Sequence, residues 1–297
     1  MSTDPPHEHE PGILHGTRIL SLALNIPGPA ALMRCRAMGA ACAKFEPPSG
    51  DPVASYTPAA YAALHVGVRV EQVDLKSDAG QERLHRELDA CDVLLSSFRP
   101  SALAKLGLAW DRLHARHPAL SHVAIVGAAG ERAEEAGHDL TYLAESGLIT
   151  GCELPPTLYA DMGGALLATE AILKAAIRNR TGNVAGTYTE VALNDAAQWL
   201  ALPRGWGLSQ RTGAVGGAHA GYAVYPCADG RVALAALEPH FAARLCEAAG
   251  LGASDMLAPG TRAAIATWMR SRTRSQLDTL SRERDVPLLT LPANAED

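Results

Sequence analysis

Two short apolar runs bracket a single helix near the start of this chain, and that order leaves few folds open. Arg18 to Leu22 reads as a strand, Asn25-Ile26-Pro27-Gly28-Pro29 as a loop, and Ala30 to about Met38 as a helix that Gly39 ends. Ala41 to Glu46 is then a second strand. A strand, a helix and a strand in that order join as a right-handed crossover between parallel strands. The alternation continues. Pro47-Pro48-Ser49-Gly50-Asp51-Pro52 is a loop, Val70 to Leu75 a strand, and Asp78 to Cys91 a helix. In that helix Asp78 and Gln81 stand at capping-box spacing, and Leu84, Leu88 and Cys91 share one face. Val93 to Ser96 and His122 to Val126 are further strands, with helical turns between them. The reading is an α/β chain with a Rossmann-like domain built on a parallel sheet.

No Gly-x-Gly-x-x-Gly follows the first strand, and Gly127-Ala128-Ala129-Gly130 is too sparse for a dinucleotide fingerprint. A nicotinamide cofactor is therefore not expected. Met162 to Arg178 reads as a helix with Leu166, Leu167, Leu173 and Ile177 as its apolar positions, and Gly182 lies beyond its end. Thr187 to Val191 alternates as a strand does, and Leu193 to about Leu202 is helical. Pro203-Arg204-Gly205-Trp206-Gly207 then breaks the pattern, ahead of the glycine-rich run Gly213 to Gly221. The expected organisation is a disordered tail over 1–12, a large Rossmann-like domain over 13–205, a Gly-rich linker over 206–221 and a smaller α+β domain over 222–297. Within the last, Tyr222 to Tyr225 and Arg231 to Ala236 form a strand pair turned at Ala228-Asp229-Gly230, and a mostly helical run continues to about Arg284.

Composition narrows the function classes. The 297 residues suffice for a sizeable core, and 47% hydrophobic with 20% charged residues is ordinary for a soluble globular chain. Net charge is −6 with no basic stripe, so no nucleic-acid partner is expected. The six cysteines are scattered without a Cys-x-x-Cys pair, which predicts neither a disulfide framework nor a metal site and fits a cytoplasmic compartment. The longest apolar candidate, Ala165 to Ile177, is short and interrupted by Glu170 and Lys174, so no membrane partner is expected. His7 and His9 read as solvated tail residues.

Chemistry concentrates between Ala136 and Ala165. Gly137-His138-Asp139-Leu140-Thr141-Tyr142 and Tyr159-Ala160-Asp161-Met162-Gly163-Gly164 flank a Gly/Pro-containing loop, and Asp161 opens the helix expected there. Brought together, His138 and Asp161 supply two proton-transfer groups, and the amides near Asp161 and Met162 supply an oxyanion site at a helix N-terminus. That equipment suits removal of a proton next to a carbonyl. Taken singly, each residue also has a bland reading: His138 as a structural loop histidine, Asp161 as a helix N-cap, Glu238 before Pro239 as a surface carboxylate.

Several segments together carry a family resemblance. They are Ile26-Pro27-Gly28-Pro29, Phe45-Glu46-Pro47-Pro48, Asp74-Leu75-Lys76-Ser77, Phe98-Arg99-Pro100, Leu106-Gly107-Leu108, Gly137-His138-Asp139, Asp161-Met162-Gly163-Gly164, Arg180-Thr181-Gly182, Cys227-Ala228-Asp229-Gly230 and Leu237-Glu238-Pro239-His240-Phe241. In this order, over most of its length, the chain resembles the class III coenzyme A transferases, and most closely their 2-methylacyl-CoA racemase branch. The resemblance implies a Rossmann-like large domain, a smaller second domain and an interlocked homodimer. It implies a coenzyme A thioester as substrate and no permanently bound cofactor. It makes His138 and Asp161 the proton-transfer pair, with Glu238 supporting the histidine, and places Arg69, Arg99 and Pro100 against coenzyme A; Lys44 is expected near the nucleotide too, from its place by a matching strand of an α/β domain, where ligands gather at the strand ends. In transferase members the carboxylate matching Asp161 is instead a nucleophile that carries acyl and CoA adducts, and the residue matching His138 is usually not histidine.

Two departures stand out. The family's basic segment before Asp74-Leu75-Lys76 is here Leu64-His65-Val66-Gly67-Val68-Arg69-Val70, in which Arg69 alone is firmly basic. The family's final segment, which returns to the large domain, is absent from the sequence. Three readings result: an acyl-CoA enzyme that moves an α-proton, a CoA transferase working through a covalent Asp161 intermediate, and a non-catalytic partner subunit. The homodimer is checked by light scattering, where a dimer mass is expected and a concentration-independent monomer mass contradicts it.

Overall fold

All six strands of the first sheet run parallel, and their order reverses once. The computed structural model describes residues 12–182 and 185–293, so the expected tail, with His7 and His9, lies outside the described residues apart from Gly12. The strands are β1 (Arg18–Ser21), β2 (Ala41–Glu46), β3 (Arg69–Gln72), β4 (Val93–Ser96), β5 (Ser121–Val126) and β6 (Tyr188–Ala192). They lie in the order β3-β2-β1-β4-β5-β6. Register pairs Leu20 of β1 with Ala43 on one side and Leu94 on the other. Every residue of β4 and β5 is buried, as a parallel sheet covered on both faces requires.

Side chains alternate between the two covered faces. Ile19, Val93, Leu95, Val123 and Ile125 join one core, together with helices α1 (Pro27–Ala37), α7 (Asp139–Glu145) and α8 (Tyr159–Arg180). Leu20, Phe45 and Leu94 join another, with α4 (Asp78–Leu88), α5 (Pro100–Lys105) and α6 (Trp110–Arg116). Two short helices, α2 (Pro52–Tyr56) and α3 (Pro58–Leu64), follow β2, and α9 (Leu193–Gly205) follows β6. The compact units divide between Ala201 and Leu202, within α9.

Local departures from the expectation have physical causes. Helix α1 begins at Pro27 rather than Ala30, because proline at a first-turn position lacks only an N–H that the helix leaves unpaired there. In α4 the cap is Ser77, whose Oγ accepts the Gly80 N–H at 3.0 Å. Gln81 does not close a capping box with Asp78; its amide donates to the carbonyls of Leu75 and Leu106. Helix α8 starts at Tyr159, so Asp161 lies inside the first turn and the capping position is Leu158.

Only part of the expected leucine face of α8 turns inward: Leu167 and Leu173 are half-buried against the core. Leu166 and Ile177 are exposed, and the helix buries Ala160, Gly164, Ala165, Ala168, Ile172, Ala175 and Ala176. Those small side chains let α8 pack closely on α1, whose own buried face is Pro27, Gly28, Pro29, Ala30 and Ala31.

The second unit begins at Leu202 and is described by itself. The glycine-rich 206–221 segment lies in it and carries a 3-10 turn at Ala214–Gly216. Strands β7 (Tyr222–Cys227), β8 (Gly230–Ala235) and β9 (Leu288–Pro292) form an antiparallel sheet in that order. Cys227 pairs with Gly230, so Ala228 and Asp229 make the turn. Helices α10 (Pro239–Ala248), α11 (Pro259–Arg270) and α12 (Arg274–Arg284) cover it, with Val232, Leu234, Leu245, Ile265, Met269 and Leu277 in the core. Strand β9 was not expected; it ends in proline and stands at a sheet edge, where its strand signal is weak. The chain is α/β, with a parallel-sheet unit and a smaller α+β unit.

The small-residue face of α8 gives a direct test. Ala168→Leu overpacks a fully buried position and is expected to cost about 1–3 kcal/mol. Ile177→Ala on the exposed face of the same helix is expected to stay within about 0.5 kcal/mol of the parent. Urea unfolding of both variants checks the contrast.

Candidate functional site

Where the strand order reverses, the segments leaving β1 and β4 run to opposite sides and open a crevice at their carboxyl ends. A cavity of about 170 Å³ occupies it, walled by Asn25, Arg99, Gly137, His138, Tyr142 and Asp161 among others. The structure therefore brings His138 and Asp161 to one cavity, although 22 residues of loop and helix separate them. His138 precedes α7. Its N–H donates to Thr141 Oγ1 at 3.0 Å, and the Thr141 hydroxyl donates back to the His138 carbonyl at 2.7 Å. This closed pair fixes the main chain that carries the imidazole.

Tyr142 is a wall residue with no role in the sequence reading. Its ring passes over two glycines. A methyl group added at Gly127 would come within 2.5 Å of the phenol oxygen, and one at Gly137 within 2.6 Å of the ring. The glycine of Gly137-His138-Asp139 is thus explained by clearance for Tyr142. Burial and the charge of Asp161 raise the Tyr142 phenol, and Arg99 opposes the shift. The available signal was the recurrence of glycine on both sides of the suspected site.

Asp161 is held from the neighbouring helix. The buried carboxylate of Asp139, first residue of α7, accepts the Asp161 N–H at 3.0 Å. Burial first, and the Asp139 charge second, push the Asp161 carboxyl up to about 6. The same bond corrects the expected oxyanion site. The Asp161 amide is spent on Asp139, and the Met162 amide donates to the Leu158 carbonyl at 3.0 Å. Neither is free for a ligand oxygen. Donors on the cavity wall are instead side chains, chiefly the Arg99 guanidinium and the Tyr142 phenol.

The expected coenzyme A contacts separate. Arg99 lines the cavity, and Pro100 next to it is the first residue of α5. Lys44 has no exposed surface; its ammonium is held by Asp51 at 2.5 Å and Glu46 at 3.0 Å, so it is not a ligand contact. Arg69 is exposed, but its guanidinium pairs with Glu71 and Glu87, which offsets the one firm charge of that segment. Glu238 lies in the second unit, exposed at the start of α10.

A second cavity of about 440 Å³ lies along the carboxyl ends of β2, β3 and β4, lined by Phe45, Pro47, Val73, Leu75, Phe98 and Leu106. It is mostly apolar, and Phe98 borders both cavities. The two together suit an extended ligand with a flat apolar end and a polar reacting end.

The displaced proton affinity of Asp161 has a stability signature. Below about pH 3 the carboxyl is almost wholly neutral in the folded and the unfolded chain alike. As pH rises the unfolded chain ionises first, so stability falls until the folded carboxyl ionises at about 6. Asp161→Asn lacks this loss. It is expected to match the parent near pH 3 and to exceed it by roughly 1–3 kcal/mol at pH 7.5, read by chemical denaturation at the two pH values.

Comparison with known proteins finds relatives in one family. A family model described as CoA-transferase family III matches residues 14–294. A probable fatty acyl-CoA transferase of Mycobacterium tuberculosis is 30% identical over 63% of this chain and 52% of its own length. The alpha-methylacyl-CoA racemase of Mus musculus is 29% identical over 82% of this chain and 66% of its own length. The chain thus spans about half of the first relative and about two thirds of the second. A solved structure of a hypothetical protein from Mycobacterium tuberculosis shares the fold, with a TM-score of 0.82 at 23% identity over 97% of this chain and 87% of that one. With the family model matching nearly its whole length, the chain belongs to CoA-transferase family III.

Proposed function

We propose that this chain acts on acyl-CoA thioesters and moves the proton on the carbon next to the carbonyl, interconverting the two configurations of a 2-methylacyl-CoA. The observation that carries this reading is the meeting of His138 and Asp161 on one cavity at the strand switch point. Exchange of configuration needs a base on one face of the α-carbon and an acid on the other. A carboxyl raised to about 6 is matched to proton transfer near neutral pH, which an ordinary surface aspartate is not. The enolate that forms carries charge on the thioester oxygen, and Arg99 and Tyr142 are the wall groups suited to meet it. The apolar cavity beside Phe98 suits the nucleotide base of coenzyme A. The similarity to a protein named alpha-methylacyl-CoA racemase supports the same reading.

A second reading has its own support. The desolvated Asp161 carboxylate in the cavity is also a candidate nucleophile, and another relative is named as a fatty acyl-CoA transferase. In that case Asp161 attacks the thioester carbonyl and CoA leaves as thiolate. Chemistry of that kind has no need of His138.

The test is deuterium exchange at the α-carbon of a 2-methylacyl-CoA in D2O. His138→Ala and Asp161→Asn are each expected to cut the rate by about 10²–10⁴ while the fold persists, and to differ in which enantiomer suffers first. A parent protein that exchanges no α-proton, yet moves CoA between acids and yields a hydroxylamine-trapped Asp161 adduct, replaces this reading with the transferase one. A protein that does neither while still binding a partner chain favours the partner-subunit reading.

A further inference from the structure

One buried charged cluster takes no part in proton transfer. Lys44 and Glu46 project from the same face of β2, two residues apart. The Lys44 ammonium has three donors and three acceptors around it: Asp51 Oδ2 at 2.5 Å, Glu46 Oε1 at 3.0 Å and His65 Nε2 at 3.0 Å. His65 Nδ1 lies 2.7 Å from the Tyr61 carbonyl, which assigns the proton to Nδ1 and leaves Nε2 to accept from Lys44. Glu46 also accepts from the Tyr61 hydroxyl at 2.9 Å. Lys44, Glu46, Asp51 and His65 are all buried. Glu46, Asp51 and His65 stand as ligands around a cation do, and the cation among them is the lysine's.

The cluster reaches the reactive cavity through Asp51. Its carboxylate caps α2 by accepting the Val53 N–H at 3.0 Å. It also accepts the Asn25 N–H, at 3.3 Å on Oδ1 and 3.2 Å on Oδ2. Asn25 lines the cavity that holds His138 and Asp161, and its φ is +63°, in the left-handed region that costs a non-glycine residue free energy. The neighbourhood is shared in a second way: the phenol of Tyr56, on α2, is raised in part by the charges of both Asp51 and Asp161.

We propose that Asp51, clamped by Lys44, is a positioning residue that holds the Asn25 main chain in its left-handed conformation and so sets the wall of the reactive cavity. Lys44 thereby acts on the site at one remove. It neutralises Asp51 in a place where an unpaired carboxylate would be too costly to bury, and it fixes the carboxylate's orientation. The buried charge pair is retained because an apolar replacement could fill its volume but could not accept the Asn25 amide. The kinetic part of the proposal rests on the proton-transfer reading; the structural part does not.

Backbone hydrogen exchange, resolved to single amides, tests the structural part without substrate. In the unaltered protein the Asn25 amide is expected to be protected at least tenfold. Asp51→Leu fills a similar volume with no acceptor for the Asn25 amide and leaves Lys44 paired with Glu46. It is expected to speed exchange at Asn25 at least tenfold while the amides of β4 and β5 keep their rates. In the exchange assay with acyl-CoA the same variant is expected to lose about 10–100-fold in kcat with KM within about threefold, as a misplaced wall would cause. An unprotected Asn25 amide in the unaltered protein overturns the proposal, and that holds even if the variant fails to fold. So does Asn25 exchange unchanged by Asp51→Leu, or faster exchange spread evenly through the sheet. A parent protein without α-proton exchange sinks the proton-transfer reading alone, and the amide rates still decide the clamp.

Discussion

The adjacency of β1 and β4 is the constraint on which the rest of the first unit depends. Both strands are buried and parallel, and Leu22 N–H extends their pairing by bonding to the Leu95 carbonyl at 2.8 Å. Beyond that bond the two chains must part, since one continues to α1 and the other to α5. A gap at the carboxyl ends is the geometric result. Leu24, Asn25, Ser97, Phe98 and Arg99 border it because they lie just past the divergence, and His138 and Asp161 reach it from the elements that follow β5. The site is therefore a product of topology before it is a product of any particular side chain.

Within that gap the electrostatics are arranged against the ionised form of one acid. Asp139 spends its carboxylate on the first turn of α8, which satisfies an amide that the helix leaves unpaired. The cost falls on Asp161, which loses solvent and gains a like-charged neighbour. A single hydrogen bond thus orders the junction of α7 and α8 and tunes the group proposed to do the chemistry. Cations come near the cavity in two forms. Arg99 stands on its wall, and Lys44 stands behind Asp51, spent on carboxylates that support the wall.

Much of this was legible along the chain because it is local. Strand–helix alternation, the turn at Ala228-Asp229 and the pairing of His138 with Asp161 as candidates all follow from periodicity, turn chemistry or ordered motifs. What escaped depends on contacts between distant segments. The start of α8 is set with the help of a carboxylate 22 residues upstream, which no helix-start rule at Tyr159 contains. The oxyanion donors were misassigned for the same reason, since an amide that looks free in a helix's first turn had already found Asp139. Lys44 looked like a coenzyme A contact because it is a lysine near a strand end; only tertiary packing shows Glu46, Asp51 and His65 closed around it. The apolar face of α8 was legible only in part: Leu167 and Leu173 pack inward, but Leu166 and Ile177 do not, because close packing against α1 selects for small size.

That alanine face has a consequence for how such a chain can diverge. A helix of 22 residues seated by methyl groups has almost no room to shift or rotate, and its far end is tied down where Arg180 donates to the His15 carbonyl at 2.9 Å. Asp161 rides on the opposite end of this bar. Differences in what the cavity accepts then fall to its other walls, the strand-exit loops and the segment before α7. The buried edge of the bar is narrow in its alphabet, mostly alanine and glycine with Thr169 and Ile172 among them, and that edge answers to fit rather than to chemistry.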